Sequence, residues 1–321
     1  MIVKKLQIPE INLKLEALLK RIAENHPARE KITSEYKKRT AGYKGEEKLS
    51  YYLSFLDQKE FWIFHDIRLT NGTYFFQIDA LLLTKKFALI LEVKNWTGTI
   101  IFDPHFHQLI RIQNNKEEGF HDPISQAALQ ASQLKKWLTI HGFPKIPVEY
   151  FVVISHPSTI IKTETDPLRI ANKVIHSHRL LSKVQSIDKN YKQEAISDKV
   201  MNKLNRTLLK KHVPSEPATL QQLDISSDDI LSGVYCPNCS SLPMIFHWGK
   251  WHCTSCNHSS HSAHEQTIQD YFLLIKPTIT NSEFRTFSHL SSLHTASRML
   301  SKMQLPFKRD KRHRFYEKPP L

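Results

Sequence analysis

The feature that most constrains this chain is a set of charges at the ends of two neighbouring apolar segments. Residues 74–84 and 87–94 have the aromatic, β-branched and aliphatic composition of strands, and the break between them is short enough for a hairpin. Glu92 and Lys94 end the second strand and point to the same face, because side chains alternate with a period of two along a strand. The hairpin would bring Asp79 of the first strand beside them. The pattern therefore predicts two carboxylates and an ammonium group gathered at one end of a buried sheet.

Such a group of charges has a specific chemical use. A buried charge is costly unless it is paired or bound to a metal ion. Two carboxylates suit a hard cation such as Mg²⁺, and a lysine beside them can orient an attacking water or help to deprotonate it. The alternative for Glu92 and Lys94 is an ordinary solvated ion pair at a strand end.

Glu46 adds a third carboxylate to the candidates. If residues 44–56 form a helix, Glu46 shares a face with the leucines three, seven and ten positions further on. A glutamate on a core-facing stripe is unusual and needs a partner. Neighbouring Glu47 falls on the polar flank of the same helix, so we expect it to be solvated.

Gln126 lies in the first turn of a helix that is predicted over residues 123–141. Asp122 can cap this helix, and Pro123 can occupy its first position. A glutamine in a first turn is usually solvated, and by itself it indicates no site.

Together these residues resemble the PD-(D/E)xK nuclease superfamily, and residues 39–158 look like its nuclease-related domain, called NERD. Four elements in the family's order carry the resemblance: residues 42–46, Asp79, residues 92–94 and residues 122–126. The chain departs from the pattern at Ile78, which stands where the proline that names the superfamily would be. It departs again at Asp122, which replaces the asparagine of the family's Asn-Pro-x-x-Gln.

The resemblance implies an activity, a fold and a set of roles. It implies a metal-dependent nuclease that hydrolyses DNA with Mg²⁺ or Mn²⁺ held by Asp79, Glu92 and the carbonyl of Val93. The catalytic residues that it implies are Glu46, Asp79, Glu92, Lys94 and Gln126. The implied fold is α/β, with a restriction-endonuclease-like mixed-sheet core. A second hypothesis is a catalytically idle nucleic-acid-binding or regulatory protein, although idle relatives usually lose an acid or the lysine, and this chain keeps them.

The cysteines of the chain fall into two Cys-x2-Cys pairs: Cys236 and Cys239, then Cys253 and Cys256. This spacing is typical of a structural zinc ribbon, in which four thiolates surround one tetrahedral Zn²⁺. Disulfides are the alternative, and the reducing cytosol expected for this protein disfavours them. The ribbon resembles those of topoisomerases. A ribbon can bind nucleic acid or another domain, and the sequence leaves both open.

Basic residues follow the ribbon. Two short helices with a turn near residues 289–292 resemble a helix-turn-helix or a small winged-helix unit, with a plain helical hairpin as the alternative. After Leu305 comes a basic tail, which we expect to be disordered and to attract phosphates without specificity. The predicted nucleic-acid-binding residues are Arg298, Lys302, Lys308, Arg309, Lys311 and Arg312.

The overall charge agrees with these hypotheses. The chain has 321 residues and a formal net charge of +14, from 45 Lys and Arg against 31 Asp and Glu. The excess favours nucleic acid, DNA before RNA, over a membrane surface as the partner. No apolar stretch approaches the ~20 residues of a membrane span, and the N-terminal sequence does not have a signal-peptide core. We therefore expect a cytoplasmic protein.

These patterns divide the chain into segments. The predicted segments are an N-terminal helical segment (1–38), the NERD domain (39–158), a basic helical extension (159–212), a linker (213–232), the four-cysteine zinc ribbon (233–262), a helical, helix-turn-helix-like unit (263–307) and the basic tail (308–321). Within the NERD domain, further strands are predicted at residues 98–102, 108–112 and 148–154. An order of helix, strands, helix and strand indicates an α/β sandwich with a mixed sheet.

Overall fold

The computed structural model of this chain describes residues 1–163, 167–310 and 313–319. The helices in these ranges are α1 (Glu10–Arg21), α2 (Arg29–Leu53), α3 (Pro123–Ile140), α4 (Pro167–Lys173), α5 (Leu180–Asn190), α6 (Asp198–Lys211), α7 (Ala263–Leu274), α8 (Asn281–Ser288) and α9 (Leu293–Lys302). The strands are β1 (Ile2–Lys4), β2 (Trp62–Thr70), β3 (Phe75–Leu83), β4 (Ala88–Lys94), β5 (Thr99–Asp103), β6 (Gln108–Gln113), β7 (Lys116–His121), β8 (Val148–Ile154), β9 (Ile160–Thr163), β10 (Val174–His176), β11 (Ile245–His247), β12 (Lys250–His252), β13 (Ser259–Ser260), β14 (Thr278–Thr280), β15 (Phe307–Asp310) and β16 (His313–Glu317). Across the described ranges, every helix is too short or too polar to cross a membrane.

The chain folds into two compact units, and neither is a single stretch of sequence. Unit 1 consists of Met1–Gln7 and Thr40–Ser215, and unit 2 consists of Ile8–Arg39 and Glu216–Leu321. The predicted N-terminal segment 1–38 is therefore divided between the two units.

A six-stranded mixed sheet with the order β1-β2-β3-β4-β8-β10 forms the centre of unit 1. Strands β2, β3 and β4 form an antiparallel meander, and its β3–β4 hairpin is the one predicted from the sequence. Strand β4 pairs with β8 in parallel, which requires a crossover connection, and α3 lies in that connection. The α/β class with a mixed sheet is thus confirmed.

Strand β4 is an almost continuous apolar run because helices cover both of its faces. On one face Ile90 packs in a cluster with Trp137 of α3, whereas on the other Leu91 packs in a cluster with α2 and α5. Since side chains alternate along a strand, Glu92 and Lys94 belong to the same face as Ile90. The sheet therefore directs both charged side chains toward α3.

A second sheet of unit 1 has the order β7-β6-β5-β9. Strands β5 and β6 correspond to the strands predicted at residues 98–102 and 108–112, and β7 adds a largely exposed strand. Strand β8 of the central sheet coincides with the strand predicted at residues 148–154.

Unit 2 contains the sheet β11-β12-β13, whose first two strands lie between the two cysteine pairs, and a second three-stranded sheet, β14-β16-β15. The remaining elements follow one another as α7, β14, α8, α9, β15 and β16. This is the order of a winged helix, in which a two-stranded hairpin follows a helix-turn-helix. The three strands distinguish it from a plain helical hairpin.

One hydrophobic core joins the helices and strands of unit 2. It contains Leu18 of α1, Trp251 of β12, Phe284 of α8 and Leu300 of α9, all fully buried. Helix α1 therefore belongs to the same core as the C-terminal elements, although it lies near the opposite end of the chain.

A buried ion pair ties α1 to α7 within this core. Arg21 Nε donates to Asp270 Oδ2 at 2.7 Å, and neither side chain is more than 1% exposed. The Arg21 guanidinium also donates to the carbonyl oxygens of Leu231 and Gly233, and it lies over the ring of Tyr235. Removing one partner of such a pair leaves a buried charge uncompensated, at a cost of about 3–5 kcal/mol.

The structure differs from the sequence predictions at two places in the C-terminal half. A linker is predicted at residues 213–232, but Ile225 and Ile230 of this segment are buried in the core of unit 2. A disordered tail is predicted from residue 308, but Lys308 and Arg309 lie on β15, which pairs with β16. Both differences arise because local composition does not report the tertiary partners that are available to a segment.

Candidate functional site

The predicted acids and the lysine meet where β3 and β4 separate. The backbone ladder between these strands ends at Ala80 and Leu91. Beyond it, the Val93 N–H donates to Asp79 Oδ2 at 2.8 Å. A carboxylate thus replaces the main-chain partner at the end of the sheet.

Glu92 is held from two sides. Its Oε1 lies 2.7 Å from Lys94 Nζ, and its Oε2 accepts a hydrogen bond of 2.7 Å from Gln130 Nε2. Glu92 is 2% exposed and Gln130 is 6% exposed. Glu92 and Lys94 therefore lie side by side as the strand period predicts, whereas Gln130 is not among the predicted site residues.

Helix α3 supplies two glutamines to the end of β4. Asp122 caps the helix by accepting hydrogen bonds from two backbone N–H groups, as predicted. Gln126 Oε1 accepts a hydrogen bond of 3.1 Å from Lys94 Nζ, and Gln130, one turn further along the helix, reaches Glu92. The cap sets where the helix begins, and so it determines which glutamines reach the strand.

Glu46 reaches the same region from α2. A Cβ on Gly45 would lie 2.7 Å from Asn95 Cβ and 2.9 Å from Ser155 Oγ, so this close approach of the helix requires glycine. Asn95 Nδ2 also donates to the Ala41 carbonyl at 2.7 Å, which joins the helix to the segment after β4. The glycine before Glu46 therefore has a packing role that positions the carboxylate.

The carboxylates interact electrostatically. Burial, together with the charges of Asp66 and Glu92, raises the pKa of Glu46 from its ordinary 4.5 to about 7. Burial and the charges of Glu92 and Glu46 also raise the pKa of Asp79 well above its usual range. Like charges have such effects only when they lie close together away from water. The site therefore holds more negative charge than Lys94 alone can neutralise.

Two further charged residues border Glu46 and are absent from the predicted site: Lys4 and Asp66. Lys4 Nζ, on β1, donates to the carbonyl oxygens of His65 and Asp66 at 3.0 and 2.9 Å. Asp66 has a φ of 50° and leaves the β2–β3 ladder between His65 and Ile67, although the register is the same on both sides. Residues other than glycine in this left-handed region cluster at functional sites. A basic residue near the N-terminus and an aspartate within a strand give no local signal, because only the fold brings them together.

The donor set fits a divalent cation. A buried excess of carboxylate is relieved by a hard cation with oxygen ligands. Gln130 Oε1 is buried without a hydrogen-bond partner among the described residues, and the waters that Mg²⁺ retains could donate to such an acceptor. The oxygen ligands available beside it are the carboxylates of Asp79 and Glu92 and the carbonyl of Val93.

The four cysteines form a separate candidate metal centre in unit 2. Their Sγ atoms lie within 4.8 Å of one another, and in the described part of the chain no other group of three or more His, Cys, Asp or Glu side chains is so close. Hydrogen bonding to Ser241 lowers the pKa of Cys239 to about 6, which favours the thiolate. The hairpin of β11 and β12 turns at Trp248 and Gly249 between the two cysteine pairs. The cluster is compatible with tetrahedral zinc.

The predicted nucleic-acid-binding residues that the structure describes are exposed on α9 and β15: Arg298, Lys302, Lys308 and Arg309. The other two, Lys311 and Arg312, lie outside the described residues.

Comparison with known protein families gives a match for the region that contains the carboxylates. Residues 41–155 match the family described as nuclease-related domain, or NERD, and the match includes Glu46, Asp79, Glu92 and Gln126. No curated protein and no solved structure matches the chain significantly. Residues 41–155 are therefore similar to the nuclease-related domain family, in a chain whose four clustered cysteines are compatible with a zinc ribbon.

Proposed function

We propose that this protein is a deoxyribonuclease of the PD-(D/E)xK type, which hydrolyses phosphodiester bonds of DNA with Mg²⁺ or Mn²⁺. The observation that carries the proposal is the meeting of Glu46, Asp79, Glu92 and Lys94 at the end of β4, where one buried carboxylate and two partly buried ones lie close together. Crowded acids of this kind oppose folding, and perturbed carboxylates in such clusters mark candidate functional sites. The family match supports a nuclease-related function.

The roles of the carboxylates follow from their surroundings. Asp79 and Glu92, with the Val93 carbonyl, would hold the cation, which when bound supplies Lewis-acid stabilisation of the charge on the reacting phosphate. Gln130 orients the Glu92 carboxylate through its hydrogen bond to Oε2. It does so without adding charge to the site.

Lys94 would orient the attacking water, and Glu46 would accept its proton. The Lys94 ammonium is fixed between Glu92 Oε1 and Gln126 Oε1, yet its side chain is still 21% exposed. An ammonium in this position can orient a water and donate to a phosphate oxygen. Glu46 has a pKa of about 7, so near neutral pH it can accept a proton from that water.

The cysteine cluster would hold one structural Zn²⁺ and take no part in hydrolysis, because four thiolates leave no open position on the ion. The zinc ribbon and the C-terminal helices would serve as nucleic-acid-binding modules, which the net charge of +14 supports. We place the protein in the cytoplasm, where unpaired thiols stay reduced.

The test is hydrolysis of supercoiled and linear DNA, and of RNA of the same sequence, by the full-length protein with Mg²⁺, Mn²⁺ or no added divalent cation. We expect cation-dependent cleavage of DNA. Glu92→Gln and Lys94→Ala should each reduce it by about 100-fold or more. The matched control is Glu47→Gln, which removes the exposed carboxylate next to Glu46 and should cleave like the wild type.

Each outcome bears on one part of the proposal. Cleavage that persists in Glu92→Gln would show that this site does not catalyse the reaction. Binding of DNA without cleavage under either cation would favour the catalytically idle nucleic-acid-binding protein. Preferential cleavage of RNA would keep the chemistry and change the substrate class.

A further inference from the structure

We propose that the winged helix of unit 2 binds duplex DNA through the exposed face of α9 and through the β15–β16 hairpin. The inference deepens the proposed function and rests on it for its biological use, because it names the form of DNA that the nuclease would receive. Four observations carry it: the connection between two helices, the anchoring of α9, the charge on its outer face and the stacked arginine of the hairpin.

Helices α8 and α9 are connected as in a helix-turn-helix. Residues 289–292 join them, and a turn of three or four residues is typical of the motif. His289 ends α8 in the left-handed conformation with a φ of 58°, and Ser292 caps α9 by accepting from the Thr295 N–H. In DNA-binding proteins with this motif, the second helix lies in the major groove. By this analogy α9 is the recognition helix.

The inner side of α9 is firmly anchored. Ala296 and Leu300 are fully buried in the core of unit 2. Asn281 Nδ2 of α8 donates to Ser297 Oγ at 2.9 Å and to the Leu293 carbonyl at 3.1 Å. A helix that reads base edges has to hold its side chains in a fixed geometry, and these contacts provide it.

The outer face of α9 is complementary to DNA in charge. The helix contains no Asp or Glu, and its exposed polar residues are His294, Ser297, Arg298, Ser301 and Lys302. Arg298 and Lys302 are one turn apart and therefore neighbours on the surface. Neither forms a hydrogen bond or ion pair with a residue that the structure describes, so both are available to a ligand. Arginine and lysine can contact guanine edges or phosphate oxygens.

Four lysines of unit 2 are already neutralised by acidic partners. The ion pairs that do so are Lys31 with Asp224, Lys276 with Glu283, Lys308 with Glu317 and Lys318 with Glu10. Arg298 and Lys302 of α9 have no such acidic partner among the described residues.

The β15–β16 hairpin adds a second basic surface. Arg309 is exposed on β15, and the Arg314 guanidinium of β16 lies 4.3 Å from the centre of the Phe307 ring. Stacking of this kind orients the guanidinium, whose Nη1 also donates to Tyr316 Oη at 3.3 Å, and its other N–H groups can bind phosphate. Tyr316 is buried and pairs with Ile279 of β14, which fixes the hairpin to the helices. Specific recognition of duplex DNA combines contacts in a groove with contacts to the backbone, and α9 and the hairpin offer both.

The test measures binding with the full-length chain carrying Glu92→Gln, so that DNA is not cut, and without a chelator, so that any metal held by the thiols is retained. The probes are a fluorescein-labelled DNA duplex, its single strand and an RNA duplex of the same sequence. Adding Arg298→Ala and Lys302→Ala should weaken duplex DNA binding by about 10-fold or more and reduce the dependence of log affinity on log salt by roughly 2. The matched control is Lys37→Ala with Lys38→Ala, two exposed lysines of α2 in unit 2, which should change neither quantity.

Several results would overturn the inference. One is unchanged duplex affinity in the Arg298→Ala, Lys302→Ala chain when its near-ultraviolet circular dichroism is native. Another is tighter binding of the single strand or the RNA duplex than of the DNA duplex. If the double alanine variant does not fold, Arg298→Gln with Lys302→Gln keeps the side-chain length and serves in its place.

The inference and the nuclease proposal can fail separately. Loss of duplex binding on substitution, in a protein whose wild type cuts no nucleic acid, would support the winged-helix interface and contradict the nuclease. Cleavage that depends on Glu92, together with duplex binding that ignores Arg298 and Lys302, would do the reverse.

Discussion

Gln130 Nε2 donates to Glu92 Oε2 at 2.7 Å in a part of unit 1 where both side chains are almost fully buried. The donor is neutral, so the contact orients the carboxylate without cancelling its charge. Lys94 takes the other carboxylate oxygen. Gln130 is therefore a positioning residue of the proposed cation site.

Replacement of Gln130 by leucine tests this role. Gln130→Leu should weaken the apparent affinity for Mg²⁺ by about 10–100-fold, the range found for groups that orient metal ligands. The free energy of unfolding without Mg²⁺ should fall by about 1–3 kcal/mol, because the buried Glu92 Oε2 loses its donor. Cleavage as a function of Mg²⁺ concentration and unfolding in urea measure the two quantities. Wild-type Mg²⁺ dependence in the variant would show that the contact is merely structural.

Gly42 and Gly45 of α2 form a matched pair. A Cβ on Gly42 would meet nothing within 4 Å, whereas one on Gly45 would lie 2.7 Å from Asn95 Cβ. Gly42→Ala should therefore raise the free energy of unfolding by up to about 1 kcal/mol through helix propensity. Gly45→Ala should lower it by about 1–3 kcal/mol through overpacking, and it should reduce cleavage because Glu46 follows directly. Equal effects of both substitutions in urea unfolding would contradict the close approach of α2.

The crowding of Glu46, Asp79 and Glu92 predicts that the candidate site lowers the free energy of unfolding of the protein. Without a divalent cation and near pH 8, Glu46→Gln should raise the free energy of unfolding by on the order of 2 kcal/mol, since it removes a carboxylate whose pKa is raised to about 7. Mg²⁺ should raise the thermal midpoint of the wild type but hardly that of Asp79→Asn. Thermal unfolding with and without Mg²⁺ measures both effects, with the exposed Glu47→Gln as the control. A Glu46→Gln protein no more stable than the wild type would argue against the repulsion.

His65 predicts a loss of stability in acid. Burial, aided by the charge of Lys4, lowers the pKa of His65 from its ordinary 6.5 to about 4. Between these values the unfolded chain binds a proton here and the folded chain does not, so stability that is present above pH 6.5 is lost as the pH falls toward 4. The whole effect amounts to roughly 3 kcal/mol. His65→Gln should therefore lose less stability than the wild type in urea unfolding between about pH 7.5 and about pH 4.5. The same substitution at the exposed His178 is the control, and parallel pH profiles of wild type and His65→Gln would refute the argument.

The cysteine cluster predicts one zinc per chain. Cys253→Ser should abolish zinc binding and lower the thermal stability of unit 2, because a closed site couples metal binding to folding. Ser255→Ala, between the cysteines of the second pair, should keep the metal. Metal analysis of the purified proteins and the fluorescence of the buried Trp251 report the outcome. Complete alkylation of all four thiols in the native protein would speak against a closed site.

Local periodicity accounts for much of the candidate site. Alternation along β4 predicts that Glu92 and Lys94 share a face, and helical spacing predicts that Glu46 points inward, since each pattern is a property of one element. Local periodicity does not predict Gln130, because its contact with Glu92 depends on how α3 is rotated against β4. It does not predict Lys4 either, because β1 pairs with β2 only in the folded chain.

The C-terminal half shows the limit of composition as a guide. Polar residues around Ile225 and Ile230 predict a linker, yet both side chains enter a core that is assembled from two distant parts of the sequence. The basic residues after Leu305 predict a disordered tail, yet Tyr316 supplies a buried anchor for the hairpin. Whether a few apolar residues order a segment depends on the partners that the rest of the chain presents to them.

The interleaving of the two units sets the order in which they can be completed during synthesis. Unit 1 has all of its residues once Ser215 has been made. Unit 2 cannot be completed until much later, because Arg21 is separated from its partner Asp270 by 249 positions. At roughly 5–20 residues per second, the ribosome needs about 12–50 s to bridge that distance. During this interval the apolar side of α1 has no core to pack against, and Arg21 has no acidic partner. The nascent chain therefore has to avoid aggregation through α1 until the C-terminal part of unit 2 has been made.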